Sequence, residues 1–378
     1  MYVAVDALGL PPFGGARASA IGWLEALARY GPENRYLVFL SRPEDHLRCF
    51  PNIHQQVIPL RNRFLVRVWA QLTMPLLLTR EGVDLLHSMK NLSIFGAPCP
   101  IIVTVNDLTH IVWRQFYPWL DGFYWQHIQP RLLQRAARII AISENTRQDL
   151  LRFYRLDPRR VVTIYPAFDE RYLQPCDPAE MERVRRNYGL PARMLLYVGG
   201  LGVHKNVITL VRAFGRIADR IPHGLVLVGG AHHTTSDRRL VDEVKAMGLS
   251  RRVWLLGSVP EEDLHPLYHL ADLFLFASLN EGFGLVLLEA MACGLPIVAA
   301  RTSSVPEVVG DAAWLIDNPR DEAMFSGAIL RLLSEQNLRA NLSARAQERV
   351  RSFSWKLTAT STLSLYESVM QLEYATRA

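Results

Sequence analysis

Two carboxylates eight residues apart, Glu281 and Glu289, frame a glycine loop, Gly282-Phe283-Gly284. A lysine, Lys205, closes a second glycine-bearing stretch, VGGLGVHK, just ahead of a helical pattern. A third glycine pair, Gly14 and Gly15, precedes a predicted helix from about Ala16 to Tyr30. At a helix start the first amides lack intrahelical partners and the helix dipole favours negative charge. Glycine lets a ligand come close to those amides, so a phosphate or diphosphate is the natural guest. The Lys205 ammonium can neutralise the same anion. A carboxylate beside a phosphate is repelled, which assigns Glu281 and Glu289 to hydroxyls such as those of ribose and a hexose. The implied ligand is a sugar joined to a nucleoside diphosphate. The plain alternative makes Glu289 a solvated helix residue and Glu281 a loop charge. The apolar neighbours Leu287, Leu288, Ala290 and Met291 argue that Glu289 has a partner.

These residues need a scaffold, and the hydrophobic pattern supplies one. Leu273–Phe276 and Ile297–Ala300 read as buried parallel strands, apolar throughout. Between them Leu285–Ala292 reads as a helix stopped by Cys293-Gly294 and Pro296. Similar runs recur at Tyr2–Leu8, Tyr36–Leu40, Gln56–Leu60, Leu85–His87, Ile101–Val105, Ile139–Ile142, Val161–Ile164, Met194–Val198, Leu225–Gly230 and Val253–Gly257, mostly separated by helical stretches. Such alternation predicts α/β architecture with doubly wound parallel sheets. The proline-bearing stretch YPAFDERYLQPCDPAE reads as a linker. Past Trp314–Asp317 the chain turns helical, and Phe353–Glu373 is an amphipathic helix.

With 378 residues the chain is of two-domain length. The charge of +6 does not by itself imply nucleic acid, and its excess is local: eight arginines against three acids between Gln129 and Arg160. That face suits anionic headgroups or a diphosphate-linked acceptor, or is simply solvated. The basic amphipathic stretch Arg61–Arg80, interrupted by Pro75, is a candidate for membrane-surface contact; the plainer reading is a core-facing helix with its arginines outward. Four scattered cysteines fit a reducing compartment. No leader precedes the first strand and no apolar run reaches spanning length, so a cytoplasmic protein is expected, with the inner membrane face as a candidate workplace. His232 and His233 resemble a metal pair without a third ligand at sensible spacing, and a surface loop is the expectation.

The run GFGLVLLEAMACGLPIVA with Glu281 ahead of it resembles the Glu-x7-Glu signature of retaining glycosyltransferases of family 4, which have the GT-B fold. Val286 stands where a proline is common. GSVPEEDLHPLYHLADLF, SSVPEVVGDAAWLID and ISENTRQDL extend the likeness over nearly the whole chain. The resemblance implies two Rossmann-like domains facing a cleft: residues 1–175 on the acceptor side, 190–352 binding the nucleotide sugar, and 353–378 a helix packing back on the first domain. It implies donor contacts from Gly15, Lys205, Glu281, Phe283, Gly284, Leu285 and Glu289, with Val259 beside the base. At the end of the Ile101–Val105 strand, relatives often read His-Asp; here Asn106 and Asp107 stand there. Asparagine cannot exchange a proton near neutral pH. His110 is a substitute imidazole a few residues on, and either Asn106 or Asp107 can cap the next turn. Relatives also often carry an arginine at Gly200 or beside the lysine, where this chain has His204. Ser143 is expected to cap a helix.

The committed expectation is transfer of a hexosyl group, mannose favoured, from a nucleoside-diphosphate sugar to a saccharide or lipid-linked saccharide. Anomeric retention is expected, with no metal and no further cofactor; the sequence contains no Asp-x-Asp. GDP-mannose is the favoured donor, and UDP-glucose, UDP-N-acetylglucosamine and dTDP-rhamnose stay open. Three rival readings compete with it. A nicotinamide dehydrogenase should show Gly-x-Gly-x-x-Gly after the first strand, which LPPFGGAR lacks. A two-lobed binding protein needs no donor lysine. A degenerate scaffold at a membrane or in a complex fits the departures at Asn106 and Gly200.

Overall fold

The structure, a computed structural model, describes residues 1–378 except 12, 13, 61, 117, 118, 231–234 and 378. The histidine pair at 232 and 233 lies outside the described residues. The chain divides into two compact units: Met1–Ala167 with Phe353–Ala378, and Phe168–Ser352.

The first unit is built on seven parallel strands: β1 (Tyr2–Ala7), β2 (Arg35–Leu40), β3 (Ile53–Val57), β4 (Leu85–Ser88), β5 (Ile101–Val105), β6 (Arg138–Ala141) and β7 (Val161–Thr163). Their order is β3-β2-β1-β4-β5-β6-β7. The central strands are buried from end to end, which is why they read as unbroken apolar runs. The third strand falls three residues earlier than Gln56–Leu60. Ile53–Val57 is an edge strand, half-exposed and carrying His54, Gln55 and Gln56, so it shows no apolar run. The apolar residues that drew attention run into Pro59, which cannot donate to a ladder.

Helix Gly15–Tyr30 packs on the terminal helix Trp355–Arg377, where the Trp23 indole donates to Thr362 Oγ1 at 3.0 Å. A Cβ at Gly22 would stand 2.4 Å from the Trp355 ring, so the approach requires glycine. Under this contact His87 is fully buried, with Nδ1 2.6 Å from the Tyr366 hydroxyl and Nε2 2.7 Å from the Thr104 hydroxyl. The stretch expected as one basic helix is two, Arg63–Leu72 and Met74–Glu81, with Pro75 in the first turn of the second. Val66, Ala70, Met74 and Leu78 face the core, as the plainer reading holds. The outward face is not simply basic: Phe64, Val68, Leu72 and Leu76, spaced four apart, form an exposed apolar stripe.

The second unit holds β8 (Met194–Val198), β9 (Gly224–Val228), β10 (Val253–Gly257), β11 (Leu273–Phe276), β12 (Ile297–Ala300) and β13 (Ala313–Ile316) in the order β10-β9-β8-β11-β12-β13, all parallel. Strand order reverses between β1 and β4 in the first unit, and between β8 and β11 in the second. In an open parallel sheet, the loops leaving the strands at such a reversal diverge and leave room for a ligand.

Candidate active site

Lys205 ends the loop after β8, and Glu281 lies in the loop after β11. The reversal of strand order therefore brings together two residues 76 positions apart: Lys205 Nζ donates to both Glu281 oxygens, at 2.7 and 2.9 Å. Sequence reasoning gave them separate guests, the diphosphate and the sugar. In the structure they form one charged pair, with the lysine about one-fifth exposed and the glutamate one-tenth.

Local geometry fixes that pair. Asn206, next to Lys205, takes the left-handed conformation with φ of 54°. Its side-chain amide donates to the carbonyls of Ala277 (3.1 Å) and Pro319 (2.6 Å), and Thr209 donates to its oxygen. The His204 carbonyl accepts from the Leu279 amide at 2.7 Å and the Ser278 hydroxyl at 3.2 Å, so the two loops are laced together. On the Glu281 side, its amide donates to Ser303 Oγ at 2.8 Å. Ser303 is held at φ of 41°, unfavourable for a residue with a Cβ, and persists only where neighbours over-determine it. The buried Ser304 hydroxyl donates to the carbonyls of Glu281 and Phe283. Asn206, Ser303 and Ser304 were not singled out from sequence; the SS of the downstream SSVPEVVG run was the available signal.

Helix Leu285–Ala292 starts at once after this loop, with Gly284 at φ of 100° as its cap. A Cβ at Gly284 would also press on Leu287 at 3.0 Å. Phe283 is buried and anchors the turn. Glu289, one helix turn further along, is partly buried, and Tyr268 donates its hydroxyl to one carboxylate oxygen at 2.7 Å. Loss of water pushes the Glu289 pKa up to about 7, only partly countered by the Tyr268 hydrogen bond. The expected partner thus exists, and it is a tyrosine not foreseen from the sequence. Val259 is partly buried in the loop between β10 and helix Glu261–Leu270.

The remaining predicted residues belong to the first unit. Gly15 is the first residue of its helix, while Gly14, at φ of 98°, is the position that demands glycine. The Asn106 amide donates to Asn91 Oδ1 at 2.6 Å. Asp107 accepts from the Thr109 amide at 2.9 Å, the turn cap already foreseen as its structural role. His110 stacks on Trp125 with centroids 4.7 Å apart. Ser143 caps its helix by accepting from the Thr146 amide. Gly200 has open space around it, and its carbonyl accepts from the Tyr197 hydroxyl.

Two parallel-sheet α/β units, of seven and six strands, are the architecture of the GT-B glycosyltransferases. The chain belongs to the family 4 type: residues 180–349 match glycosyl transferases group 1, and residues 13–172 match glycosyltransferase family 4. It is 32% identical over 271 residues to O-antigen chain mannosyltransferase B of Escherichia coli, covering 70% of each chain. It is 30% identical over 253 residues to D-inositol 3-phosphate glycosyltransferase of Corynebacterium efficiens, covering 65% of this chain and 59% of that one. Anabaena HepE, solved in complex with UDP-glucose, shares the fold with a TM-score of 0.79 over 97% of this chain and all of that one, at 22% identity.

Proposed function

We propose that this glycosyltransferase moves a mannosyl group from GDP-mannose to a saccharide or lipid-linked saccharide in polysaccharide assembly, with retention at the anomeric carbon. The observation that carries the reading is the Lys205–Glu281 pair at the start of helix Leu285–Ala292, with Glu289 on that helix. As the C1–O bond breaks, its electron pair goes to the departing diphosphate. The Lys205 ammonium and the amides of Phe283, Gly284 and Leu285 hold that charge without a metal at the diphosphate. Glu281 orients the donor through sugar hydroxyls while keeping the lysine in place. Glu289 takes the ribose hydroxyls with the oxygen Tyr268 leaves available. The acceptor hydroxyl attacks from the face the diphosphate leaves, and its proton passes to the leaving phosphate oxygen. The likeness to O-antigen chain mannosyltransferase B supports mannose and a saccharide acceptor.

The apolar stripe of Phe64, Val68, Leu72 and Leu76, with exposed Trp119, Leu120 and Phe123, supports work at a membrane surface, where lipid-linked acceptors sit. No helix among the described residues is long and apolar enough to cross a membrane. The test is a thermal-shift panel of GDP-mannose, UDP-glucose, UDP-N-acetylglucosamine and dTDP-rhamnose with EDTA present, followed by transfer assays with the stabilising donor. GDP-mannose alone should raise the melting temperature. A shift with a UDP sugar instead moves the donor assignment. No shift and no turnover with any donor favours the scaffold reading.

A further inference from the structure

His265 and His269 lie one helical turn apart on the same face of helix Glu261–Leu270. Their Nε2 atoms are 3.0 Å apart. Cys293 caps the end of helix Leu285–Ala292, and ligand atoms of all three residues lie within 4.8 Å of one another. Two imidazole nitrogens that close need something between them. In the metal-free protein one shared proton serves, with the Gln174 carbonyl 3.1 Å from His265 Nε2 as a further acceptor. A metal ion can take the place of that proton. Zinc bonds of about 2.0–2.1 Å to nitrogen and about 2.3 Å to sulfur put tetrahedral ligand atoms roughly 3.3–3.6 Å apart. The two nitrogens are already near that spacing, and the thiol needs a shift of at most about an ångström to reach it.

The geometry points to a binding site for a divalent transition metal of the zinc class, held by His265, His269 and Cys293 with water in the fourth position. Two imidazoles and a thiolate are a borderline-soft donor set that suits zinc and disfavours magnesium or calcium. The site lies at the opposite end of helix Leu285–Ala292 from the Gly282–Gly284 loop. Tyr172 packs edge-on against both His265 and Tyr268, at 5.7 and 5.6 Å, and its carbonyl accepts from the Cys293 thiol. Tyr268 in turn holds Glu289. The metal therefore ties together the two helices that carry the Tyr268–Glu289 hydrogen bond, one through His265 and His269 and the other through Cys293 at its end.

The experiment is titration of the chelator-stripped full chain with Co(II), read by absorption. One equivalent should give visible bands of a four-coordinate ion and a near-ultraviolet thiolate-to-cobalt band, both displaced by Zn(II). The thiolate band should vanish in Cys293→Ser and persist in Cys176→Ser and Cys49→Ser. His269→Ala should weaken binding by more than about tenfold, and it carries the test alone if serine at 293 unfolds the chain. Zn(II) should raise the melting temperature of the parent and of Cys176→Ser, but not of Cys293→Ser. No thiolate band in the parent chain, a band that survives Cys293→Ser, or unchanged affinity in His269→Ala overturns the site.

Discussion

The two units place an ion pair at the same point of their sheets, where strand order reverses, and use it differently. In the first unit the acid, Asp6, comes from β1 and the cation, Lys90, follows β4, with Nζ 3.1 Å from Oδ1. In the second the cation follows β8 and the acid follows β11. Lys90 and Asp6 are almost completely buried, and the pair's spare hydrogen-bonding capacity is used internally: Lys90 donates to the Leu8 carbonyl, and Asp6 accepts from the Leu8 amide. The Lys205 side chain is about one-fifth exposed. A sealed pair fastens a loop; a partly open one can receive a charged guest.

The largest effects separate these roles. Lys205→Ala should lower transfer by about 10²–10³-fold, the scale of losing one charge-stabilising donor, with the fold intact and a smaller loss of stability than at Lys90. Lys90→Ala should instead cost about 3–5 kcal/mol of stability in denaturant melts, because it strands a buried carboxylate. Retained turnover in the first, or an undisturbed fold in the second, dissolves the contrast.

A second pair of tests compares titrations. Burial drives the His87 pKa from its ordinary 6.5 down to about 3. The unfolded chain therefore binds the extra proton first, so this stability is complete above about pH 6.5 and is lost as pH falls toward 3. The loss is on the order of several kcal/mol over the whole window. Hydrogen exchange at β4 and the terminal helix should quicken over that range, and His87→Gln should flatten the dependence. In the second unit the displaced group is Glu289, and its pKa moves upward instead. Its raised pKa makes it an acid that stays protonated up to about pH 7. GDP-mannose affinity should thus rise as pH climbs through about 7 and level off above it. Glu289→Gln should remove that slope, and Glu289→Ala should weaken binding by about 1–3 kcal/mol. A pH-independent affinity in the parent chain returns Glu289 to a structural role.

The smallest effect concerns Asp107. Replacement by alanine should cost about 1 kcal/mol through the lost turn cap, while asparagine should preserve stability. If transfer falls in the asparagine variant with stability intact, Asp107 acts in the reaction as well.

Much of this was legible in the sequence for a specific reason. Strands buried on both faces, such as β11 and β12, must be apolar at every position, and the glycines at 282 and 284 mark the loop that follows β11. The edge strand β3 lacked that signal because half of it faces water. The pairing of Lys205 with Glu281, and of Glu289 with Tyr268, depends on which strands become neighbours, and no local pattern encodes that. His265 and His269 carried a readable four-residue spacing, but Cys293 joins them only once two helices have packed.

The first unit is interrupted, with residues 168–352 placed between its sheet and its closing helix. Synthesis from the amino end therefore delivers the whole second unit before the first can be finished. Until Trp355 and Thr362 arrive, Gly22 lacks the ring that packs on it, Trp23 lacks its hydrogen-bond acceptor, and His87 lacks Tyr366. The nascent chain can consequently own a folded second unit while its first unit still waits for its last helix, an order of maturation written into the path of the backbone.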